Sequence, residues 1–252
     1  MHRSAIGIIV SLYLCHASQP ISGAERDLRG SEKELLMTFV GENKVIAPSR
    51  DRLQIWDAIT GERIHILGGV EIDRYWLGRE EKIAVGRNSV LFSLKDSRLQ
   101  VLDVENGEIL LNHRPSEKEG GATGVPAISS DGQYVAYPRS VIEGKTTFGN
   151  DVVRKPECAV LTVRWKRLVA ILPMSHPHPR RPRDGRSRTQ ILQYSPKDYT
   201  LATSLQDVVM LWDGATGRKL HCLKRHKNQV ESCDFSADGP RLATADYDGL
   251  IC

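Results

Sequence analysis

Three residues near the end of the chain carry the side chains of a nucleophilic triad, namely His226, Thr244 and Asp248. An imidazole placed between a hydroxyl and a carboxylate can activate the hydroxyl oxygen for attack on an acyl group. Hydrolases that work this way commonly present the nucleophile in a Gly-x-Ser-x-Gly turn, and the sequence contains none. The absence argues against a catalytic triad, and we predict no catalytic residue in the chain.

The stretch from Met174 to Arg188 is the most unusual in composition, with three prolines and one acidic residue. Its five arginines are Arg180, Arg181, Arg183, Arg186 and Arg188. Because proline removes a backbone donor and fixes φ, no sheet can continue through this stretch, so we predict an exposed insertion. Guanidinium groups bind phosphate, sulfate and carboxylate bidentately. The insertion is thus a possible contact for an acidic partner, a polyanion or an anionic lipid surface, and a merely solvated loop is the alternative.

Other patterns are too incomplete to form a site. His176 and His178 offer too few ligands for a metal ion. The glycine-rich stretch 120–124 lacks the Gly-Lys-Ser/Thr that a phosphate-binding loop requires, and it suits a flexible connection better. Four cysteines beyond the N-terminal segment fall in expected strands and are interpreted as small core residues, namely Cys158, Cys222, Cys233 and Cys252. We predict no metal and no cofactor.

Composition is that of a globular domain rather than a disordered or membrane-embedded chain. Of 252 residues, 26% are charged and 40% are hydrophobic, and the formal net charge is +4. Such a weak positive charge does not indicate binding to nucleic acid.

The first 24 residues have the layout of a secretory signal. His2 and Arg3 precede an apolar run from Ala5 to Leu14, and the small residues Ser22-Gly23-Ala24 follow. The run of about ten residues is shorter than the roughly twenty needed for a spanning helix. We expect cleavage after Ala24 and export to the periplasm, cell envelope or medium, with an uncleaved membrane anchor as the alternative.

The remainder shows short strands separated by turn residues, and one strand–turn unit recurs. In each copy an Asp ends a strand and a Gly follows four residues later. The pairs are Asp57 and Gly61, Asp103 and Gly107, and Asp213 and Gly217. The carboxylate can accept backbone N–H groups of the turn, and the Gly can adopt the left-handed conformation that closes a hairpin with a bulge. A degenerate copy at 158–172 lacks both residues, and we expect its hairpin to close differently.

A second marker lies between these units. Phe235-Ser-Ala-Asp-Gly239 precedes Leu242-Ala-Thr244, and Tyr194-Ser-Pro-Lys-Asp198 precedes Leu201-Ala-Thr203. Each indicates an inner strand, a tight turn and a second strand, and the two copies are about 41 residues apart, within the range of propeller blades.

With Trp-Asp steps at Trp56-Asp57 and Trp212-Asp213 in this register, the chain from about residue 34 onward resembles the WD-repeat (WD40) family. The resemblance is best in the last stretch, from Leu223 to Gly249. Blades of the family contain a buried relay of His, Ser/Thr, Asp and Trp. Carried over by position, the resemblance implies the relay residues His226, Thr244 and Asp248 in one blade, and Thr203, Asp207 and Trp212 in the preceding one.

The resemblance implies an all-β propeller of four-stranded antiparallel blades. We expect complete blades at about 34–67, 71–114, 123–172 and 189–223, and a partial blade at 230–252. The implied role is that of a non-enzymatic scaffold that binds unidentified proteins. The alternatives are a truncated product without stable function, an exported propeller enzyme and a polyanion binder.

The basic insertion gives a testable prediction. Replacing its five arginines by serine should lower the salt concentration at which the protein elutes from a heparin column, because attraction between exposed charges is screened by salt. Unchanged elution would show that the insertion is merely solvated.

Overall fold

The computed structural model describes residues 38–48, 52–68, 83–93, 98–115, 125–145, 152–174 and 191–252. Those ranges contain eighteen β-strands and no helix. They accordingly contain no helix of the length and apolarity needed to cross a bilayer. The signal peptide predicted for residues 1–24 lies outside them.

The strands form four sheets of four strands and one of two, each in chain order. The first sheet contains β1 (Thr38–Val40), β2 (Lys44–Pro48), β3 (Arg52–Asp57) and β4 (Arg63–Gly68). The second contains β5 (Ile83–Val85), β6 (Ser89–Ser93), β7 (Leu99–Asp103) and β8 (Ile109–His113). The third contains β9 (Ala127–Ile128), β10 (Tyr134–Lys145), β11 (Val152–Thr162) and β12 (Leu168–Pro173). The fourth contains β13 (Leu192–Tyr194), β14 (Thr200–Leu205), β15 (Val208–Asp213) and β16 (Lys219–Leu223). The fifth pairs β17 (Val230–Phe235) with β18 (Leu242–Asp246).

All strand pairs are antiparallel, so the predicted fold class of four complete blades and a partial fifth is confirmed. After β18 the chain returns, and Ala245 forms an isolated antiparallel bridge with Ile251. The predicted starts of the complete blades lie outside the described ranges and stay predictions. The predicted blade residues outside those ranges are 34–37, 49–51, 71–82, 94–97, 123–124, 146–151 and 189–190.

Apolar side chains cover both faces of the second and third sheets, because each is packed between two neighbours. Successive side chains of a strand point to opposite faces. In β6, Val90 and Phe92 pack against Leu53 and Ile55 of the first sheet, whereas Leu91 packs on the side of the third. Strands buried in this way are apolar along their whole length rather than alternating.

From the second sheet onward, the first strand of each sheet contacts the first strand of the next. β5 contacts β9, β9 contacts β13, and β13 contacts β17. These are therefore the inner strands, and the turns that follow them come together at one end of the array. The fourth strands, such as β12, are outer edges.

The degenerate hairpin has the same backbone geometry as the others, contrary to the prediction, although Thr162 offers no carboxylate to the turn amides. Thr162 takes the place of the Asp, and its N–H donates to the Arg167 carbonyl at 2.9 Å, as that of Asp57 donates to Glu62 at 2.8 Å. Lys166 takes the glycine position with φ of +53°, close to the +70° of Gly61. The pairing also shifts register between Val160 and Leu161, as it does between Ile55 and Trp56. Backbone hydrogen bonding in the sheet thus imposes a left-handed conformation on a lysine.

The second and third strands of the third sheet are about twice as long as their counterparts in the other four-stranded sheets. β10 has 12 residues and β11 has 11, and they stay paired as far as Lys145 and Val152, beyond the reach of β9 and β12. Near the base of this extension the largely buried Arg139 donates two hydrogen bonds to Glu157, the shorter at 2.9 Å.

Removal of the backbone strain at the left-handed Lys166 should stabilise the protein. Lys166→Gly is expected to raise the free energy of unfolding by about 0.5–1 kcal/mol, because a non-glycine residue in this region is strained by more than glycine loses in chain entropy. Urea unfolding measures the change. Lys224→Gly, at an exposed position of ordinary φ, should give no gain, and Gly217→Ala should destabilise, since its φ is +77° and its Cβ would lie 2.5 Å from that of Ala170. A Lys166→Gly variant no more stable than the parent would contradict the strain.

Candidate functional site

The turn aspartates accept hydrogen bonds from backbone N–H groups of their own turns. Asp57 Oδ1 accepts the N–H groups of Ile59 and Thr60, both at 2.8 Å. The pKa of Asp57 is lowered, chiefly by the hydrogen bond from Thr60 and then by that from Ile59. The carboxylate of Asp103 likewise accepts the amide of Glu105 at 2.7 Å. These carboxylates hold turns and are not arranged to transfer protons.

The fourth sheet repeats this arrangement. Asp213 Oδ1 accepts the N–H groups of Ala215 and Thr216 at 3.0 and 3.1 Å. Burial alone would raise the pKa of Asp213, but hydrogen bonds from Thr216 and Ala215 outweigh it and lower the pKa. The glycines of these units are left-handed and donate to the carbonyl of their own Asp. Gly61, Gly107 and Gly217 make that bond at 2.9, 3.0 and 2.7 Å.

A buried relay occupies the fifth sheet. His226 Nε2 lies 2.7 Å from Thr244 Oγ1, and His226 Nδ1 lies 3.0 Å from Asp246 Oδ2. Because an ionised carboxylate only accepts, Nδ1 carries the proton that is donated to Asp246, and Nε2 accepts from the Thr244 hydroxyl. All three residues are buried, so a substrate has no access to the hydroxyl.

The acid of this relay is Asp246, and the prediction of Asp248 is wrong. Asp246 Oδ1 also accepts the N–H groups of Asp248 and Leu250. Burial by itself would raise the pKa of Asp246, but the hydrogen bonds from His226 and Leu250 lower it. Asp248 is exposed, and its carboxylate accepts from the Asn228 side chain at 2.9 Å. Both aspartates stand close to the end of β18, and only the inward-facing one reaches the imidazole.

In the fourth sheet, two of the three predicted relay residues come together. Trp212 Nε1 donates to Thr203 Oγ1 at 3.0 Å, and both side chains are buried. Asp207 lies in the two-residue turn between β14 and β15, where Gln206 has a φ of +54°. The indole N–H is thereby satisfied inside an apolar cluster, which a buried tryptophan requires.

The described cysteines are unpaired thiols in three kinds of surroundings. Cys158 is fully buried, and burial raises its pKa. Burial also raises the pKa of Cys233 to about 12. Neither is activated as a nucleophile, since reactivity needs a lowered pKa. Cys252 is exposed, so its interpretation as a core residue is wrong.

A feature that the sequence motifs missed is an open cavity of about 750 Å³ at the inner turns. We call it the inner-turn cavity. Its charged and amide side chains come from the first two sheets, namely Glu42, Asn43, Lys44, Arg87, Asn88 and Glu105. The third and fourth sheets contribute Ser130 and Pro196. Five of these six side chains are exposed, and Lys44 is partly buried.

The wall of this cavity is fixed by contacts between sheets. The N–H of Arg87 donates to the Ser130 carbonyl at 2.6 Å, which ties the second sheet to the third. Lys44 forms an ion pair with Glu105, which ties the first sheet to the second. A Cβ at Gly41 would lie 2.9 Å from the Arg87 carbonyl oxygen, so these turns touch closely. The polar turn that follows each short inner strand is the signal that would have located these residues.

Two further predictions concern the basic insertion and metal binding. The five arginines of the basic insertion lie outside the described residues. Among the described residues, no group of three His, Cys, Asp or Glu side chains could hold a metal ion.

Comparisons with known proteins give one family match and several structural matches. The profile of the family "WD domain, G-beta repeat" matches residues 217–252. A solved structure of the computationally designed Ika8 protein aligns with a TM-score of 0.56 and 18% identity, over 88% of this chain and 58% of that one. The β-propeller domain of Cps50 (Swd1) from Myceliophteria thermophila aligns with a TM-score of 0.58 and 14% identity, over 85% of this chain and 62% of that one. No curated protein matches the sequence.

The fold is therefore that of a β-propeller. The WD40 repeat profile matches residues 217–252, which include the stretch of best sequence resemblance. The chain spans about three fifths of the length of the two solved structures with which it aligns. Propellers of this family commonly mediate protein–protein interactions.

The relay should contribute to stability rather than to any reaction. Thr244→Val is expected to lower the free energy of unfolding by about 1–3 kcal/mol, because it leaves His226 Nε2 buried without a donor. Thr216→Val, at an exposed turn, is the matched control and should change stability far less. Equal effects of the two substitutions in urea unfolding would argue against a relay that stabilises the fold.

Proposed function

We propose that this protein is a non-enzymatic scaffold that binds another polypeptide at the inner-turn cavity. The observation that carries the proposal is the meeting of exposed side chains of both charges in an open cavity of about 750 Å³. A polypeptide offers the matching groups, since its amides and charged side chains can pair with Glu42, Arg87 and the neighbouring asparagines.

Rigidity of the cavity supports binding. The hydrogen bond from Arg87 to Ser130 and the ion pair of Lys44 with Glu105 hold the turns before a partner arrives. A preorganised surface loses less conformational entropy on association, so more of the interaction energy remains as affinity.

A catalytic role receives less support. The His–hydroxyl–carboxylate arrangement of the fifth sheet is buried, and burial raises the pKa values of Cys158 and Cys233. Reaction would require groups with access to substrate and a pKa suited to proton transfer or attack. The basic insertion remains a separate candidate contact for polyanions, which the heparin experiment tests.

Charge reversal at the cavity tests the proposal. The double variant Glu42→Arg with Arg87→Glu keeps the net charge of the chain but exchanges the two signs at the cavity. Tagged protein is expressed in its native host, cross-linked and purified, and the recovered proteins are quantified by mass spectrometry. We expect at least one partner to be recovered at least about tenfold less with the double variant, since each charged hydrogen bond contributes roughly 1.5–3 kcal/mol.

The matched control exchanges charges elsewhere on the surface. Lys224→Glu with Asp248→Lys alters two exposed residues that do not line the cavity and should leave recovery unchanged. If every partner is recovered equally with all three proteins, the cavity is not the binding site.

The same preparation tests the proposed export, because removal of the signal leaves Glu25 as the first residue.

A further inference from the structure

The turn between β11 and β12 differs from its counterparts in charge and exposure. It contains Arg164, Trp165, Lys166 and Arg167, all exposed, and no acidic residue. The matching turn of the second sheet, residues 104–108, instead contains two acidic residues, Glu105 and Glu108. The two hairpins have similar backbone geometry, so the basic composition of the β11–β12 turn is not needed to form it.

Trp165 is the largest side chain of this turn, and 64% of it is exposed. It is not needed to close the hairpin, which is held by the bond of 2.9 Å from the Thr162 amide to the Arg167 carbonyl. Its ring is flanked by the Arg164 guanidinium, whose carbon lies 5.6 Å from the ring centroid. An indole presented beside a cation in this way is available to a partner.

The apolar surface continues along the outer edge strand. In β12, Leu168, Val169 and Ile171 are 47%, 38% and 45% exposed, whereas Leu172 points into the core. The residues from 163 to 174 include no acidic side chain.

More positive charge lies on the other side of this strand. Gly217 of the fourth sheet packs on β12 so closely that a Cβ there would lie 2.5 Å from the Ala170 Cβ. The exposed residues Arg218 and Lys219 follow it directly. The one acid of that turn, Asp213, is already bonded to the N–H groups of Ala215 and Thr216. We call the surface formed by residues 164–171, Arg218 and Lys219 the basic–aromatic rim.

We propose that the basic–aromatic rim docks on the headgroup region of an anionic phospholipid bilayer. Five cations around one tryptophan and three aliphatic side chains match that region, where anionic lipids attract Lys and Arg and where indole rings reside. The rim is formed by a protruding hairpin turn and a sheet edge, and a protrusion fits a planar surface better than a peptide, which binds in a groove. This surface is on outer elements and is separate from the inner-turn cavity.

Vesicle flotation tests the proposal with the full chain. Vesicles of phosphatidylcholine alone are compared with vesicles containing about 30% phosphatidylserine, at low salt and at about 0.5 M NaCl. We expect binding to the anionic vesicles only, weakened by salt. Arg164→Ser with Arg167→Ser should lower the partition coefficient at least about tenfold, since each basic residue near such a surface contributes roughly fivefold. Trp165→Ala should also lower it.

Three controls make the result decisive. Lys224→Ser with Arg225→Ser removes two exposed cations elsewhere and should leave most of the binding intact. The variant without the five arginines of the basic insertion should still bind. Trp165→Ala should leave elution from heparin unchanged, because a soluble polyanion has no apolar region for the indole to enter.

The proposal is overturned if neutral and anionic vesicles bind equally, or if neither binds. It is also overturned if removal of the insertion arginines alone abolishes binding, or if Trp165→Ala affects heparin and vesicles alike, which would indicate a polyanion or an acidic peptide. Near-ultraviolet circular dichroism shows whether each variant is folded, and Trp165→Phe offers a more conservative replacement.

Discussion

The two apolar faces of the interior sheets are the constraint on which the rest of the structure depends. Leu91 and Val90 are neighbours in one strand, yet they are buried in different clusters on opposite sides of their sheet. A sheet of this kind cannot be stable alone, because at least one apolar face would contact water. Stacking of successive sheets satisfies both faces, and it also determines where the inner turns converge and which strands become outer edges.

Local sequence patterns predicted the fold because the turns have strong chemical requirements. An Asp that accepts turn amides and a Gly with positive φ are recognisable in any sequence, and they marked three of the four outer hairpins. The fourth was mispredicted because Lys166 occupies a position that glycine prefers. The paired strands β11 and β12 fix the backbone there, and a local pattern carries no information about such pairing.

The candidate site was less predictable for a related reason. The relay needs an acid at the end of β18, and the sequence offers Asp246 and Asp248 two residues apart. Which carboxylate meets the imidazole depends on how the chain turns after the strand, and that turn is set by the bonds of Asp246 to the amides of residues 248 and 250. The inner-turn cavity was missed because the polar turns that line it are far apart in the sequence, and only the stacking of four sheets brings them together.

The family profile and the folded sheets are out of phase with each other. The matched residues 217–252 include β16, the outer strand of the fourth sheet, together with both paired strands of the fifth. The unit repeated in the sequence is therefore not the unit that folds as a sheet, because each repeat contributes strands to two neighbours. Duplication of one such segment within a gene would complete one blade and begin the next, so an array can lengthen without leaving a blade that lacks its outer strand.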